Sequence, residues 1–348
     1  MQTKPVKIAV IIPVYNLEAY ITEAVESVLK QPYQDIQIVC VNDGSTDQSL
    51  PILCALKTNN PRVHIISQAN AGVSVARNRG MEYVFEHLSA DYIMFLDGDD
   101  IWYKNWLNED VIALFGEGHD TVMFDSCFAT HTLAYRSPSQ HRYTGIVNGG
   151  DFAVNADHQP FCAAAYRREF LQRFGIRFHE GQKTAEDIHF KLEARSLSKT
   201  CCFCERLIYV YRTRPGSAVR RSIPAIEFYT PLFDGWIKSH HFLEERGFVS
   251  GCTYGGIKYY IGDLVNAHFQ EFGDREALVP VLEKYASCLD VDEPNNKKAQ
   301  AFLERYTKGY EFKQHVIGLR NILACLLKRI PFVRSLKEKR FYTIPLEY

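Results

Sequence analysis

Several things are scarce in this sequence, and each absence excludes something. There is no excess charge of either sign: 40 lysines and arginines face 41 acids, for a net charge of −1. No global field therefore draws the chain to nucleic acid. There is no long apolar run either; none reaches the ~18 residues that would nominate a membrane span. The first apolar run, Ile8 to Val14, contains Pro13 and lacks a small-residue cleavage pattern, so no secretory signal is expected. Ten cysteines in 348 residues do not make a disulfide-dense pattern. Cys40, Cys127 and Cys325 sit in apolar segments and are expected reduced and buried, as in a cytoplasmic protein. Cys201 and Cys204 have Cys-x-x-Cys spacing, but no second pair follows at zinc-ribbon spacing. Glycine-rich phosphate cradles are also missing. The turn after the first strand reads Pro13-Val14-Tyr15-Asn16 instead of Gly-x-Gly-x-x-Gly, and no Gly-x-x-x-x-Gly-Lys occurs. A nucleotide bound here would be held by side chains on strand tips.

What is present is a globular composition, 46% hydrophobic and 23% charged. The length suits one large core or two domains. Val6 to Pro13, Ile36 to Val41, Val63 to Ser67 and Tyr92 to Leu96 read as strands. Helical patterns separate them: one from about Glu18 to Lys30, with Ile21, Ala24, Val25, Val28 and Leu29 on one face, and another carrying Arg77, Asn78, Arg79 and Gly80. This alternation predicts an α/β fold built on a mainly parallel sheet. In such sheets ligands bind beyond the carboxyl ends of the strands.

Those ends are polar. The second strand runs into Asn42-Asp43-Gly44-Ser45-Thr46-Asp47, where Ser45, Thr46 or Asp47 is placed to cap the next helix. The fourth runs into Asp97-Gly98-Asp99-Asp100. Asp97 and Asp99 form an Asp-x-Asp pair, and hard cations such as Mn²⁺ or Mg²⁺ suit carboxylate ligands completed by water and phosphate.

Four stretches in order, Val10-Ile-Ile-Pro-Val-Tyr-Asn16, Val41-Asn-Asp-Gly-Ser-Thr-Asp47, Ala71-Gly-Val-Ser-Val-Ala-Arg-Asn-Arg-Gly80 and Phe95-Leu-Asp-Gly-Asp-Asp100, resemble the signatures of family 2 glycosyltransferases. Looser likeness to the bacterial polysaccharide branch continues through Tyr166-Arg-Arg-Glu-Phe-Leu171, Glu186-Asp-Ile-His-Phe190 and Tyr211-Arg-Thr-Arg214. The resemblance implies a GT-A fold: a Rossmann-like catalytic domain over 1–224, with a nucleotide-binding half to about residue 100 and an acceptor half beyond it. Residues 225–348 read as a helical region. The implied reaction is inverting transfer of a hexose from a nucleotide sugar, a UDP-sugar, to a growing surface glycan such as lipopolysaccharide or capsule. A polyprenyl-phosphate sugar synthase and a non-catalytic glycan-binding protein are the alternatives.

The resemblance also implies roles. Asp99 would hold the ion, with Asp97 on the ribose or in the metal shell. Asp43 would accept the N3–H of a uracil, and Pro13, Tyr15 and Asn16 would line the nucleotide pocket. Arg77 would lie near the diphosphate. Asp187 would be the catalytic base, supported by Glu186; its place at a helix start favours the ionised form. Arg212, in a basic loop with Arg214, Arg220 and Arg221, would close over the diphosphate.

From Val316 to Arg340 the chain is basic and amphipathic, with seven Lys and Arg against Glu338 and with Leu, Ile, Val and Phe between them. That is the composition of an interfacial helix. It implies peripheral contact with the inner face of the cytoplasmic membrane, where a lipid-linked glycan acceptor would reside. Packing on the catalytic domain, or on a second copy in a homodimer, is the other reading of the same face. Deletion after about residue 315 is expected to abolish liposome binding and spare donor hydrolysis; liposome binding that survives the deletion would remove the membrane reading.

Overall fold

The computed structural model describes residues 5–130, 135–138, 145–147, 160–182, 185–213 and 224–248, with scattered positions between 277 and 284. The basic segment 316–340, Arg214, Arg220 and Arg221 lie outside the described residues.

Apolar strands and amphipathic helices alternate as their patterns require. Strands β1 (Ile8–Val14), β2 (Ile36–Asp43), β3 (Val63–Gln68) and β4 (Tyr92–Phe95) alternate with helices α1 (Ile21–Leu29), α2 (Ser49–Asn59) and α3 (Val73–His87). The four strands are parallel in the order β3-β2-β1-β4. Every residue of β1 is buried, as expected of a central strand covered on both faces. Pro13 lies one residue inside the end of β1, opposite Val41 of β2. The pairing of β1 with β4 has already ended at Ile11 and Phe95, so no ladder donor is missed there.

The second half mixes directions. After β5 (Ile101–Trp102) and α4 (Glu109–Gly116) come β6 (Thr121–Thr130), β7 (Tyr135–Pro138) and β8 (Gly145–Val147). A 3₁₀ turn (Phe161–Ala163), β9 (Ala164–Arg167), α5 (Arg168–Phe174), α6 (Glu186–Leu197), β10 (Cys201–Thr213) and α7 (Ala225–Glu244) follow. The sheet continues from β4 through β9, β6 and β10 to β5. β9 is antiparallel to both β4 and β6, and β10 is parallel to β6. β4, β6 and β10 therefore point the same way, and their carboxyl ends share one edge of the sheet.

Two of the boundaries that differ from the sequence expectation have clear local reasons. β2 extends to Asp43 because Asn42 and Asp43 still pair with Ser67 and Gln68 of β3. α1 starts at Ile21, not Glu18, because the Glu18 N–H donates to Asp47 Oδ2 at 3.0 Å instead of entering the helix ladder. Asp47 also accepts from Ser49 N at 2.9 Å, so it serves the start of α2 while tying that helix to the first loop.

Helix α7 joins the same core: its Leu232, Phe233, Trp236 and Leu243 pack with the sheet residues. α7 lies over α6 at Gly235, where an added Cβ would fall 2.1 Å from His189 Nε2. Among the described residues no helix is long and apolar enough to cross a membrane.

α3 sits unusually close to β1. A Cβ at Gly80 would lie 2.5 Å from Ile11 Cγ2, a methyl on a stiff β-branched side chain. Gly80→Ala gains about 1 kcal/mol of helix propensity, yet overpacking of about 1–3 kcal/mol is expected to outweigh it. Urea unfolding checks this: a variant more stable than the parent would show that α3 and β1 are free to separate.

Candidate active site

Three strand tips and one helix start converge at the carboxyl edge. The first tip is an exposed loop. Asn16 adopts a left-handed backbone (φ 53°), which asparagine tolerates. Its Oδ1 accepts from Thr46 N at 2.8 Å, and its own N–H donates to Ser45 Oγ at 3.1 Å. Tyr15 beside it is 49% exposed, whereas Pro13 is buried. Asn16 thus ties the first tip to the second.

Asp43 is buried and organises the turn that leads into α3. Oδ1 accepts from Gln68 Nε2 (2.8 Å) and Ala71 N (2.9 Å), and Oδ2 accepts from Gly72 N (2.9 Å). A carboxylate offers about four acceptor sites, so Oδ2 retains one for a ligand donor. Gly44 makes the turn possible: its φ is +69°, and a Cβ there would meet Asn70 N at 2.7 Å.

The acidic tip is held from two sides. Arg77 of α3 is only 3% exposed, and its guanidinium bridges Asp97 Oδ1 (Nη2, 2.6 Å) and Glu186 Oε1 (Nη1, 2.9 Å). It lies over the rings of Phe161 (4.5 Å) and Phe178 (5.1 Å), part of an aromatic cluster in which Phe178 and Phe190 stack at 4.2 Å. Burial alone would push the guanidinium down; Asp97 and Glu186 more than offset it and keep Arg77 charged. Arg77 is therefore an interior ion-pair partner, not a surface one.

β10 supplies the other side. Asp100 is buried, with Oδ2 accepting from the Tyr209 hydroxyl at 2.5 Å and Oδ1 from Arg212 N at 2.7 Å. The Tyr209 oxygen also lies 3.4 Å from Asp97 N. Burial, then the neighbouring charges of Asp99 and Asp97, push the Asp100 carboxyl well above its ordinary range. Asp100 is therefore a support for the tip. Arg212 differs from the expectation of a loop arginine closing over a diphosphate. It lies in β10, and its guanidinium donates to the Asp99 carbonyl (Nε, 2.9 Å) and Glu23 Oε2 (Nη2, 2.5 Å), against the ring of Tyr20. The strand pairing that buries it turns it inward, so it braces the tip from below.

Glu186 and Asp187 open α6 as the sequence pattern requires. The helix start favours the ionised form of Asp187, as expected, but the surroundings oppose it. Burial, then the adjacent Glu186 and the more distant Asp97, raise its pKa, against the opposing pull of Lys191 and Arg77. The helix end is too weak to outweigh lost hydration.

Among the described residues no three His, Cys, Asp or Glu side chains form a closed metal cage. A Mg²⁺-like ion needs no such cage, because one or two carboxylates with water and substrate phosphate suffice. Asp99, half-buried at the tip, and the lone pairs that Arg77 leaves on Asp97 are hard oxygen donors of that kind, so the residues fit the ion. Sequence reasoning missed Tyr209, Glu23 and Cys162. Tyr209 reads as strand packing and Glu23 as helix surface. Cys162, whose Sγ lies 3.7 Å from Asp97 Oδ2, follows no motif at all.

Arg77→Ala would leave two carboxylates facing each other without their cation and is expected to cost about 3–5 kcal/mol. Arg77→Lys, which keeps the charge but reaches one acid at a time, is expected to fall between. Denaturant unfolding gives the order; an alanine variant as stable as the parent would mean the bridge holds nothing.

The Glycosyl transferase family 2 model matches residues 9–175. GlyG, a glycosyltransferase of Streptococcus pneumoniae, is 40% identical over 229 residues, which are 61% of this chain and 73% of GlyG. The minor teichoic acid biosynthesis protein GgaB of Bacillus subtilis is 31% identical over 62% of this chain, but that stretch is only 24% of GgaB. The chain likewise spans about a third (32%) of the glycosyltransferase GlyA of S. pneumoniae. Among solved structures, S. aureus TarS 1–349 in complex with UDP-GlcNAc superposes with a TM-score of 0.61 over 88% of this chain and 93% of TarS 1–349, at 18% identity. The fold is thus the expected GT-A fold. Three strand-tip motifs and one at the start of α3, in order, and a relative covered to nearly three quarters of its length, lead to one conclusion: this chain is a member of glycosyl transferase family 2.

Proposed function

We propose that the chain transfers a hexose from a UDP-sugar to a growing bacterial surface glycan, with inversion at the anomeric carbon. The observation that carries this reading is the Arg77 bridge. By pairing with both Asp97 and Glu186, it fixes the start of α6, and with it Asp187, relative to the acidic tip. A UDP-sugar donor is supported by the UDP-GlcNAc complex of TarS; a surface-glycan acceptor is supported by the name of GgaB.

In the proposed reaction Asp43 offers its remaining lone pair to the base, and the exposed face of Tyr15 borders the nucleotide. Asp99 and Asp97 would hold a Mn²⁺ or Mg²⁺ ion, which when bound supplies charge stabilisation for the departing diphosphate. Asp187 takes the proton of the acceptor hydroxyl, that oxygen bonds to the anomeric carbon, and the bond from that carbon to the diphosphate oxygen breaks on the opposite face. An α-linked donor gives a β-linked product. Glu186 and Arg77 keep Asp187 in place, and Arg212, Tyr209 and Asp100 keep the tip in place.

Because Asp187 must be ionised to accept the proton, and its pKa lies above the ordinary carboxylate value, activity is present above that raised pKa and lost as pH falls through it. The acid limb of the rate profile should thus lie higher than a solvated aspartate would give. Nucleotide release from a panel of UDP- and GDP-sugars with Mn²⁺, with and without EDTA, is the primary test. We expect one UDP-sugar to be consumed, EDTA or Asp99→Ala to stop it, and Asp187→Asn to lower transfer about 10²–10⁴-fold. Release insensitive to EDTA would remove the metal role. An unchanged rate in Asp187→Asn would point to a phosphate acceptor that needs no base.

A further inference from the structure

At the same carboxyl edge, on the far side of the acidic tip from Asp43, stands an aromatic pair that the donor chemistry does not use. Phe128 of β6 and Tyr211 of β10 are partners in the strand register. Their rings meet edge-on, with centroids 5.4 Å apart and planes at 64°. Phe128 is 51% exposed although its neighbours Cys127 and Ala129 are fully buried and β6 has strands on both sides. Tyr211 is two residues beyond Tyr209, so both project from one face of the sheet. That is the face on which the Tyr209 hydroxyl reaches Asp100 and the Asp97 amide. The pair thus continues the floor of the site, one side-chain repeat, about 7 Å, further toward the ligand edge.

Strand order gives the platform its place. Asp43 lies on β2, two strands to one side of β4; β6 and β10 are the second and third strands to the other side. The tip itself crosses from β4 to β5, which pairs with β10 at Val210 and Ile101, and Arg212 N donates to Asp100 Oδ1 at 2.7 Å, so the pair adjoins the Asp100 end of the tip, away from the nucleotide side at Asp43. A base held at Asp43 and a diphosphate at the tip leave this side for the acceptor. Aromatic faces carry negative quadrupole charge, and the C–H face of a pyranose is their complement, whereas phosphate is repelled.

We infer that Phe128 and Tyr211 form a stacking platform for a sugar ring of the acceptor glycan. The inference rests on the glycosyl-transfer reading above and adds where the acceptor lies and which residues select it. Ring stacking worth about a factor of ten in affinity is expected.

The full chain, saturated with UDP, would be titrated with methyl glycosides and short β-linked oligosaccharides of glucose, galactose and N-acetylglucosamine, followed by saturation-transfer NMR. We expect at least one glycoside to bind saturably, Phe128→Ala to weaken it about tenfold or more, and Phe128→Trp to retain it. UDP affinity should be unchanged in both variants. The platform is overturned if wild type binds UDP but no glycoside, or if Phe128→Ala and Tyr211→Ala bind glycoside as wild type does. Wild type that binds glycoside through Phe128 but no UDP would sustain the platform and sink the donor reading instead.

Discussion

The site depends on one buried cation. Arg77 pairs with both the acidic tip and the start of α6, two segments separated by about ninety residues. A buried guanidinium is tolerable only where carboxylates and ring faces replace water. Here Asp97 and Glu186 accept from its two terminal nitrogens, and the rings of Phe161 and Phe178 lie against it. The planar fork matters as much as the charge, because two acids are reached by two nitrogens at once, which an ammonium cannot imitate. The aromatic cluster of the core is thus also the electrostatic seat of the site.

A second constraint comes from β10. It runs from Cys201 to Thr213 and delivers the Tyr209 hydroxyl and the Arg212 amide to Asp100, and the Arg212 side chain to Asp99 and Glu23. The tip is therefore clamped through Asp100 and the Asp99 carbonyl, while Asp99 itself is half-buried. A loop bearing three acids in four residues would otherwise spread under its own repulsion. Asp100 takes the buried position and has its pKa raised by burial and by Asp99 and Asp97.

The strand tips were legible in the sequence because they break a strong pattern: apolar runs that end abruptly in Asn42-Asp43 or Asp97-Gly98-Asp99-Asp100. The helix start at Glu186 was legible for the same reason. Tyr209 and Glu23 were not, since a tyrosine in an apolar strand and an acid on a helix face have bland local explanations, and only the sheet order brings both to the tip. Arg212 shows the limit most clearly. Its local context, a run of arginines near Gly216, suggests a mobile basic loop, but the long pairing of β10 with β6 places it inside a strand. The raised pKa of Asp187 was equally hidden, because a helix start is visible in sequence and burial is not.

Five acids gather at this edge: Asp97, Asp99, Asp100, Glu186 and Asp187. Arg77 and Arg212 help to hold them, and burial, with the repulsion of the neighbouring acids added, shifts Asp100 and Asp187 upward. Each shift is a free-energy cost of keeping the carboxylate ionised in the ligand-free fold. In the proposed reaction a cation held at Asp99 would relieve part of that cost and draw Asp187 back toward the ionised form that a base requires. On that reading, metal binding and ionisation of Asp187 would be coupled by the same field. The coupling would be reciprocal, so protonating Asp187 would weaken the cation by the factor by which the cation favours the ionised carboxylate. The acid limb of the rate profile and the affinity for the ion would then move together, and neither would be a property of a single residue.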